Sequence, residues 1–160
     1  VYQAAIKAQR INEVYVLTDA QEVADTVLSW GGRVLLTPED CPSGTDRIVS
    51  VLDQLKSDII VNVQGDEPLV MPEMMEQVTG PLLKDKELQC ANLVTEIVDK
   101  TEFNDPNVPK LVANIEGDLL YISREPIPSI KKADTNDYLK LKQLGIIAFR
   151  REFLQLSISG

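Results

Sequence analysis

Within residues 21–30, Val23, Ala24, Val27 and Leu28 recur at i, i+1, i+4 and i+5. That is the spacing of one helix face, and Gly31-Gly32 follows it as a stop. The flanking runs have a different rhythm. Residues 13–18 (EVYVLT) and 33–37 are short, apolar and rich in β-branched side chains, which predicts strands. Residues 1–10 set Tyr2, Ala5, Ile6 and Gln9 on one side of a predicted helix. Residues 38–42 read as a loop between two prolines. Ser43 then predicts an N-cap, because Asp46 stands three places later, near the open amides of a first turn. The capped helix is expected to reach about residue 56 on Ile48, Val51, Leu52 and Leu55. Residues 58–64 are nearly continuous in Ile and Val, as strands covered on both faces are. A further helix is predicted over residues 72–84, with Pro72 in its first turn and a break at Pro81.

This order, β-α-β-α-β-α, predicts a parallel sheet with helices on both faces. The pattern then changes. Residues 91–97, 110–115, 119–123 and 143–149 read as strands, the middle two joined by a hairpin-like turn at Glu116-Gly117-Asp118. Pro-rich sequence, EPIPSIKKADTNDY, separates the last two. The expected fold is one α/β domain over residues 1–160, a three-layer sandwich on a mostly parallel sheet with a small antiparallel appendage. No linker or repeat interrupts it.

Composition narrows the chemistry. The chain has 160 residues, 44% of them hydrophobic, enough for one core. Its formal net charge of −9 speaks against a nucleic-acid or membrane-surface binder, which needs basic patches. It has no histidine, which removes imidazole acid–base chemistry and imidazole-bound zinc. Cys41 and Cys90 are far apart and match no metal spacing, so a reduced, cytoplasmic chain is expected. No apolar run is long enough to span a bilayer.

In an open α/β sheet ligands gather at the carboxyl ends of the strands. Three polar segments should arrive there: Thr18-Asp19, PEDCPSGTDR over residues 38–47, and Gln64-Gly65-Asp66-Glu67. Asp66 is the candidate metal ligand, since Mg²⁺ takes one or two carboxylates and completes its octahedron with phosphate and water. Gly65 lets a ligand approach the backbone, and Pro68 stiffens the exit. A solvated acidic turn is the plain alternative. SGTDR can offer hydroxyls and helix-start amides to a base, ribose or phosphate; its plain alternative is a capped helix. There is no GxGxxG and no GxxxxGK[ST], so dinucleotide dehydrogenases and P-loop enzymes fit poorly.

The ordered set LTDA, PEDCPSGTDR, IIVNVQGDEPL, FNDPNVPKLV, LLYISREPIP and KQLGIIAFRREFL resembles the 3-deoxy-manno-octulosonate cytidylyltransferases (CMP-KDO synthetases) over essentially the whole chain. The resemblance implies a Rossmann-like nucleotidyltransferase that couples CTP to the 2-keto sugar acid KDO, releasing pyrophosphate, for lipopolysaccharide assembly. It implies that Asp66 is catalytic and one of two aspartates holding Mg²⁺. Ser43, Gly44 and Thr45 match the loop around cytosine and ribose. Gln64 and Arg124 match sugar-acid contacts. A guanidinium suits the KDO carboxylate, while an ion pair with Glu125 is the plain alternative for Arg124. Glu67 is expected to support Asp66 or to cap the next segment.

Three positions depart from the family pattern. Cys41 stands where the family usually has His, and Gln143-Leu144-Gly145-Ile146-Ile147 stands for His-Leu-Gly-Ile-Tyr. Gln143 and the apolar Ile147 thus replace two sugar contacts, so an 8-amino-KDO or sialic acid cytidylyltransferase stays open, as does a truncated non-catalytic homologue. The resemblance further implies a homodimer, with residues 91–149 carrying sugar binding and dimerisation. It also implies that a basic triphosphate-gripping loop, a first strand beside residues 13–18 and 58–64, and the second aspartate fall outside this chain. The chain alone is accordingly expected to be inactive.

Overall fold

A computed structural model of the chain describes residues 1–129 and 138–156. Most of the Pro-rich segment, residues 130–137, therefore lies outside the described residues. The chain divides into two units, one of Val1–Asn92 with the residues from Gly145 onward, the other of Leu93–Leu144.

The first unit opens with α1 (Tyr2–Ala5), far shorter than the predicted helix. The amide of Gln9 donates to Glu76 Oε1 at 3.0 Å instead of continuing the helix. Strand β1 (Val16–Thr18), helix α2 (Gln21–Ser29) and strand β2 (Val34–Leu36) follow as the pattern implied. Gly31, after α2, has φ +76°, a conformation in which an added Cβ is strained. β1 and β2 pair in parallel, Val16 opposite Val34. Helix α3 (Gly44–Val49) starts at the predicted Ser43 cap. It ends earlier than expected, and a 3₁₀ turn at Leu52–Gln54 follows. Beyond the break, the guanidinium of Arg151 bonds the carbonyls of Leu52 and Leu55. Strand β3 (Ile59–Val63) leads to helix α4 (Pro72–Lys84), which runs through Pro81 without the expected break. Its C-terminal carbonyls at Leu82 and Asp85 accept from Arg150. Ile48, Leu52, Ile60, Phe149 and Leu154 form one buried cluster of this unit.

Strand β4 (Cys90–Glu96) runs from the first unit into the second. The second unit then contains α5 (Lys100–Asn104), β5 (Lys110–Ala113) and β6 (Leu119–Ser123). α5 was not predicted. Asp99 caps it, with Oδ1 accepting from the Thr101 amide at 2.8 Å. Asp99 and Glu102, three residues apart, were a capping signal available in the sequence. The Thr101 hydroxyl, and then its amide, hold the Asp99 carboxyl below the usual range. The predicted turn between β5 and β6 forms, with Gly117 at φ +93°. Strand β7 (Leu141–Arg150) begins in this unit and ends in the first, where α6 (Arg151–Leu156) continues it.

The mostly parallel sheet is not what forms. β3 pairs β7 antiparallel, Ile60 opposite Phe149, and β5 pairs antiparallel with both β6 and β7. Only β1 and β2 are parallel among the pairings resolved in direction. An unbroken Ile/Val run reports burial on both faces; it carries no sign of the neighbour's direction. Here the antiparallel neighbour of β3 comes from about ninety residues later in the chain. β1 and β3, expected to flank a first strand, do not pair with each other.

Candidate active site

The carboxyl ends of β1, β2 and β3 meet at the start of α3. Arg47, in the first turns of that helix, makes an ion pair with Asp19 at 3.0 Å and donates to the hydroxyl of Thr37. Asp19 follows β1 and Thr37 follows β2, so one half-buried guanidinium gathers both strand ends. On the other side, a Cβ built on Gly44 would lie 3.5 Å from Asn62 Nδ2, which places the end of β3 against the same turn. A cavity of about 890 Å³ is lined along its length by β1 and β3, and Gly44, Arg47, Asn62, Gln64 and Gly65 are among its lining residues.

Ser43 is the cap the sequence indicated. Its hydroxyl accepts from the Asp46 amide at 3.2 Å and donates to the Asp46 carboxylate. That hydroxyl is thus engaged within the turn; Gly44 beside it is exposed and Thr45 half-buried. Half-buried Cys41 is a free thiol in the loop before it. Cys90, also free, has its thiol pKa pushed up by burial.

After β3 the chain makes a tight turn. The Glu67 amide donates to the Gln64 carbonyl at 3.3 Å, so Gly65 and Asp66 occupy its tip. The turn is fastened twice to one residue. The Gln64 amide donates to the Gly145 carbonyl at 2.9 Å, and Glu67 Oε1 accepts from the Gly145 amide at 2.7 Å. Asp66 is exposed at the tip. A hard cation that draws most of its oxygen shell from phosphates and water fits such a lone presented carboxylate. Among the described residues no group of three or more His, Cys, Asp or Glu gathers to hold a metal by itself.

Arg124 and Gln143 fall in the second unit. Arg124 is exposed, and its Nη1 donates to the carbonyls of Pro106 and Asn107, both at 3.1 Å, rather than to Glu125. Lys110 lies beneath it, 0% exposed, and its Nζ donates to the carbonyl of Asp105 at 2.8 Å and to that of Arg124. Gln143 is on β7, where its amide donates to the Pro109 carbonyl at 3.0 Å. Of the candidates, then, Ser43, Gly44, Thr45, Gln64 and Asp66 share the first unit. Sequence reasoning missed Arg47, Asn62, Gly145 and Lys110. Arg47 stood in the quoted SGTDR, but nothing local tied it to Asp19.

A profile of the cytidylyltransferase family matches residues 1–158. The chain belongs to that family. This cytidylyltransferase chain is 40% identical to the 3-deoxy-manno-octulosonate cytidylyltransferase of Geobacter metallireducens, over 96% of the chain and 64% of the relative. It is 39% identical to the 8-amino-3,8-dideoxy-manno-octulosonate cytidylyltransferase of Shewanella pealeana, over 97% of the chain and 64% of the relative. Its fold superposes on the structure of a CMP:2-keto-3-deoxy-manno-octonic acid synthetase complexed with CTP with a TM-score of 0.91. Identity there is 37%, covering 99% of this chain and 64% of that one. The cytidylyltransferase chain thus spans 64% of the length of the first relatives it matches.

Proposed function

We propose that the protein carrying this chain transfers CMP from CTP to a 2-keto sugar acid, KDO, giving CMP-KDO and pyrophosphate for lipopolysaccharide assembly. The observation that carries the proposal is the meeting of three strand ends at α3, with Asp66 presented on the turn after β3, in a chain of this family. The anomeric hydroxyl of the sugar acid attacks the α-phosphorus in line. A new P–O bond forms, the bond to the bridging oxygen breaks, pyrophosphate departs and the hydroxyl proton passes to solvent. Gly44 and Thr45 border the nucleoside, and Gly65 allows close approach of a phosphate to the backbone. Asp66 is the residue of this chain that would hold Mg²⁺. When bound, the ion neutralises charge developing on the phosphates.

Arg124 binds the sugar-acid carboxylate in this reading, and Gln143 contacts the sugar. A cytoplasmic homodimer completes it. β6 supports the dimer: Leu119, Leu120 and Tyr121 are 51%, 64% and 62% exposed on a strand that, among the described residues, pairs only with β5. An open apolar edge of this kind favours a second strand. Light scattering of the whole protein at micromolar concentration should give twice the chain mass; a monomer would remove the dimer from the proposal.

The 8-amino relative keeps a second substrate in play, since Gln143 and Ile147 replace the usual His and Tyr. The deciding experiment measures Mg²⁺-dependent pyrophosphate release by the whole protein from CTP with KDO, 8-amino-KDO or sialic acid. Preference for KDO is expected. Preference for the 8-amino sugar would change the substrate, and no release with any of the three would end the proposal.

A further inference from the structure

We infer that Glu67 is the positioning residue for Asp66, acting through Gly145; the inference rests on the cytidylyltransferase reading for its functional half. The turn at residues 64–67 follows the last ladder pair, Val63 opposite Ile146. Beyond that pair, Gly145 offers one carbonyl and one amide to the turn. The Gln64 amide takes the carbonyl, and the Glu67 carboxylate takes the amide at 2.7 Å. A side-chain oxygen here does what the next main-chain carbonyl would do in a continuing strand. The backbone is thereby released to turn, yet both flanks of the turn stay fastened to the strand. Asp66 sits between the two fastenings, one peptide from Glu67.

The position of Gly145 is part of the device. A Cβ there would lie 2.7 Å from Glu67 Oε1 and 3.1 Å from both Glu67 Cγ and Gln64 Cβ. Real Cβ atoms do not approach oxygen so closely, so any side chain at 145 would expel the carboxylate or push the turn off the strand. The carboxylate bond is charge-assisted and therefore among the stronger single tethers available to an exposed turn. Glu67 does not touch substrate in this account. It fixes where the neighbouring carboxylate points, and groups that orient a metal-binding carboxylate typically matter by about 10–100-fold in metal affinity or activity.

The test uses Glu67→Ala, Glu67→Gln, Gly145→Ala and the double variant Glu67→Ala/Gly145→Ala in the whole protein. Glu67→Ala should raise the Mg²⁺ concentration for half-maximal turnover about tenfold and lower kcat about as much, with the KM for the sugar acid nearly unchanged. Glu67→Gln keeps an acceptor oxygen and should recover to within about threefold of wild type, since it weakens the bond without removing it. Gly145→Ala should match Glu67→Ala, and the double variant should be no worse than either, because both remove one contact. Hydrogen exchange supplies a readout independent of turnover. The Gly145 amide should be protected in wild type and Glu67→Gln and should exchange faster in Glu67→Ala, while cooperative unfolding is retained. Unchanged exchange at Gly145 in Glu67→Ala would overturn the contact. Faster exchange with wild-type Mg²⁺ dependence would overturn the positioning role. Absence of turnover in the wild-type protein itself would instead count against the cytidylyltransferase reading, and the exchange result would still decide the contact.

Discussion

In the first unit the Asp66 carboxylate has no partner among the described residues, while the turn beneath it is fastened at Gln64 and Glu67. In the second unit the guanidinium of Arg124 is itself engaged, bonding the carbonyls of Pro106 and Asn107, with Lys110 buried below and bonding the Arg124 carbonyl. One charge is presented on a fastened support; the other is part of its own support. The difference bears on what each can contribute to binding. A presented carboxylate meets a cation after losing only water. The Arg124 guanidinium is held through Nη1 alone, and what its remaining donors add is about one charge-assisted bond to a carboxylate, against the several kcal/mol of charge stabilisation that a metal ion on Asp66 would supply. Asp66 should therefore dominate, although both residues carry a full charge in the same proposed reaction.

Asp66→Asn tests the larger side of that comparison. It removes the charge but keeps the size, so folding should be unaffected, while Mg²⁺-dependent turnover should fall by at least about a thousandfold, the scale of several kcal/mol of charge stabilisation. Steady-state kinetics with Mg²⁺ titration and a thermal melt make the measurement. Retention of full activity would sink the assignment of Asp66.

Lys110→Met reverses the emphasis, because Lys110 acts on stability. The ammonium is fully buried and bonds two carbonyls, those of Asp105 and Arg124. Met fills similar volume but removes that donor; the Asp105 carbonyl keeps the Val108 amide at 3.1 Å, so the main cost is the Arg124 carbonyl, about 1–3 kcal/mol. The denaturant midpoint should drop accordingly, and the sugar-acid KM should rise as Arg124 loses its anchor. A variant as stable as wild type would show that water or other groups replace the lysine without cost.

The two regions were unequally legible in the sequence. Asp66 could be proposed from sequence because its signal is local: an Ile/Val strand running into Gly-Asp-Glu-Pro. The Ser43 cap was local in the same way and forms as expected. The fastening at Gly145 was not legible, because it joins residues 78 positions apart and only the strand pairing brings them together. The antiparallel direction of β7 against β3 was hidden for the same reason. Distant groups that periodicity does not reveal meet the chain where the predicted helices fail: Glu76 takes the Gln9 amide beyond α1, and Arg151 bonds the carbonyls of the turn beyond α3. Lys110 reads in sequence as a surface lysine beginning a strand. Only the positions of Asp105 and Arg124 turn it into a buried tether.

Arg124→Ala should have a smaller effect than Asp66→Asn. The KM for the sugar acid should rise about tenfold, roughly one charge-assisted bond, with kcat and the KM for CTP nearly unchanged. Arg124→Lys should not restore it, since an ammonium lacks the planar fork for a carboxylate. If the loss equalled that of Asp66→Asn, the claim that Asp66 dominates would fail.

The smallest effect is expected at Ser43, where function and local structure can be separated. Its hydroxyl accepts from the Asp46 amide and donates to the Asp46 carboxylate, so the cap alone accounts for both of its bonds. Ser43→Ala should cost about 1 kcal/mol of stability, the usual value of a lost N-cap, and raise the KM for CTP only about as far as loosening of α3 permits. Ser43→Asp offers the converse. Aspartate is as good a cap but would set a second carboxylate beside that of Asp46, now without a hydroxyl to bridge them. It should regain less stability than Ser43→Asn, which caps without charge. If Ser43→Asn restores the melting temperature and also the KM for CTP, the residue acts through the cap. If Ser43→Asn restores stability while CTP binding stays weakened tenfold or more, the hydroxyl itself reaches the nucleotide, and the turn seen here rearranges when CTP binds.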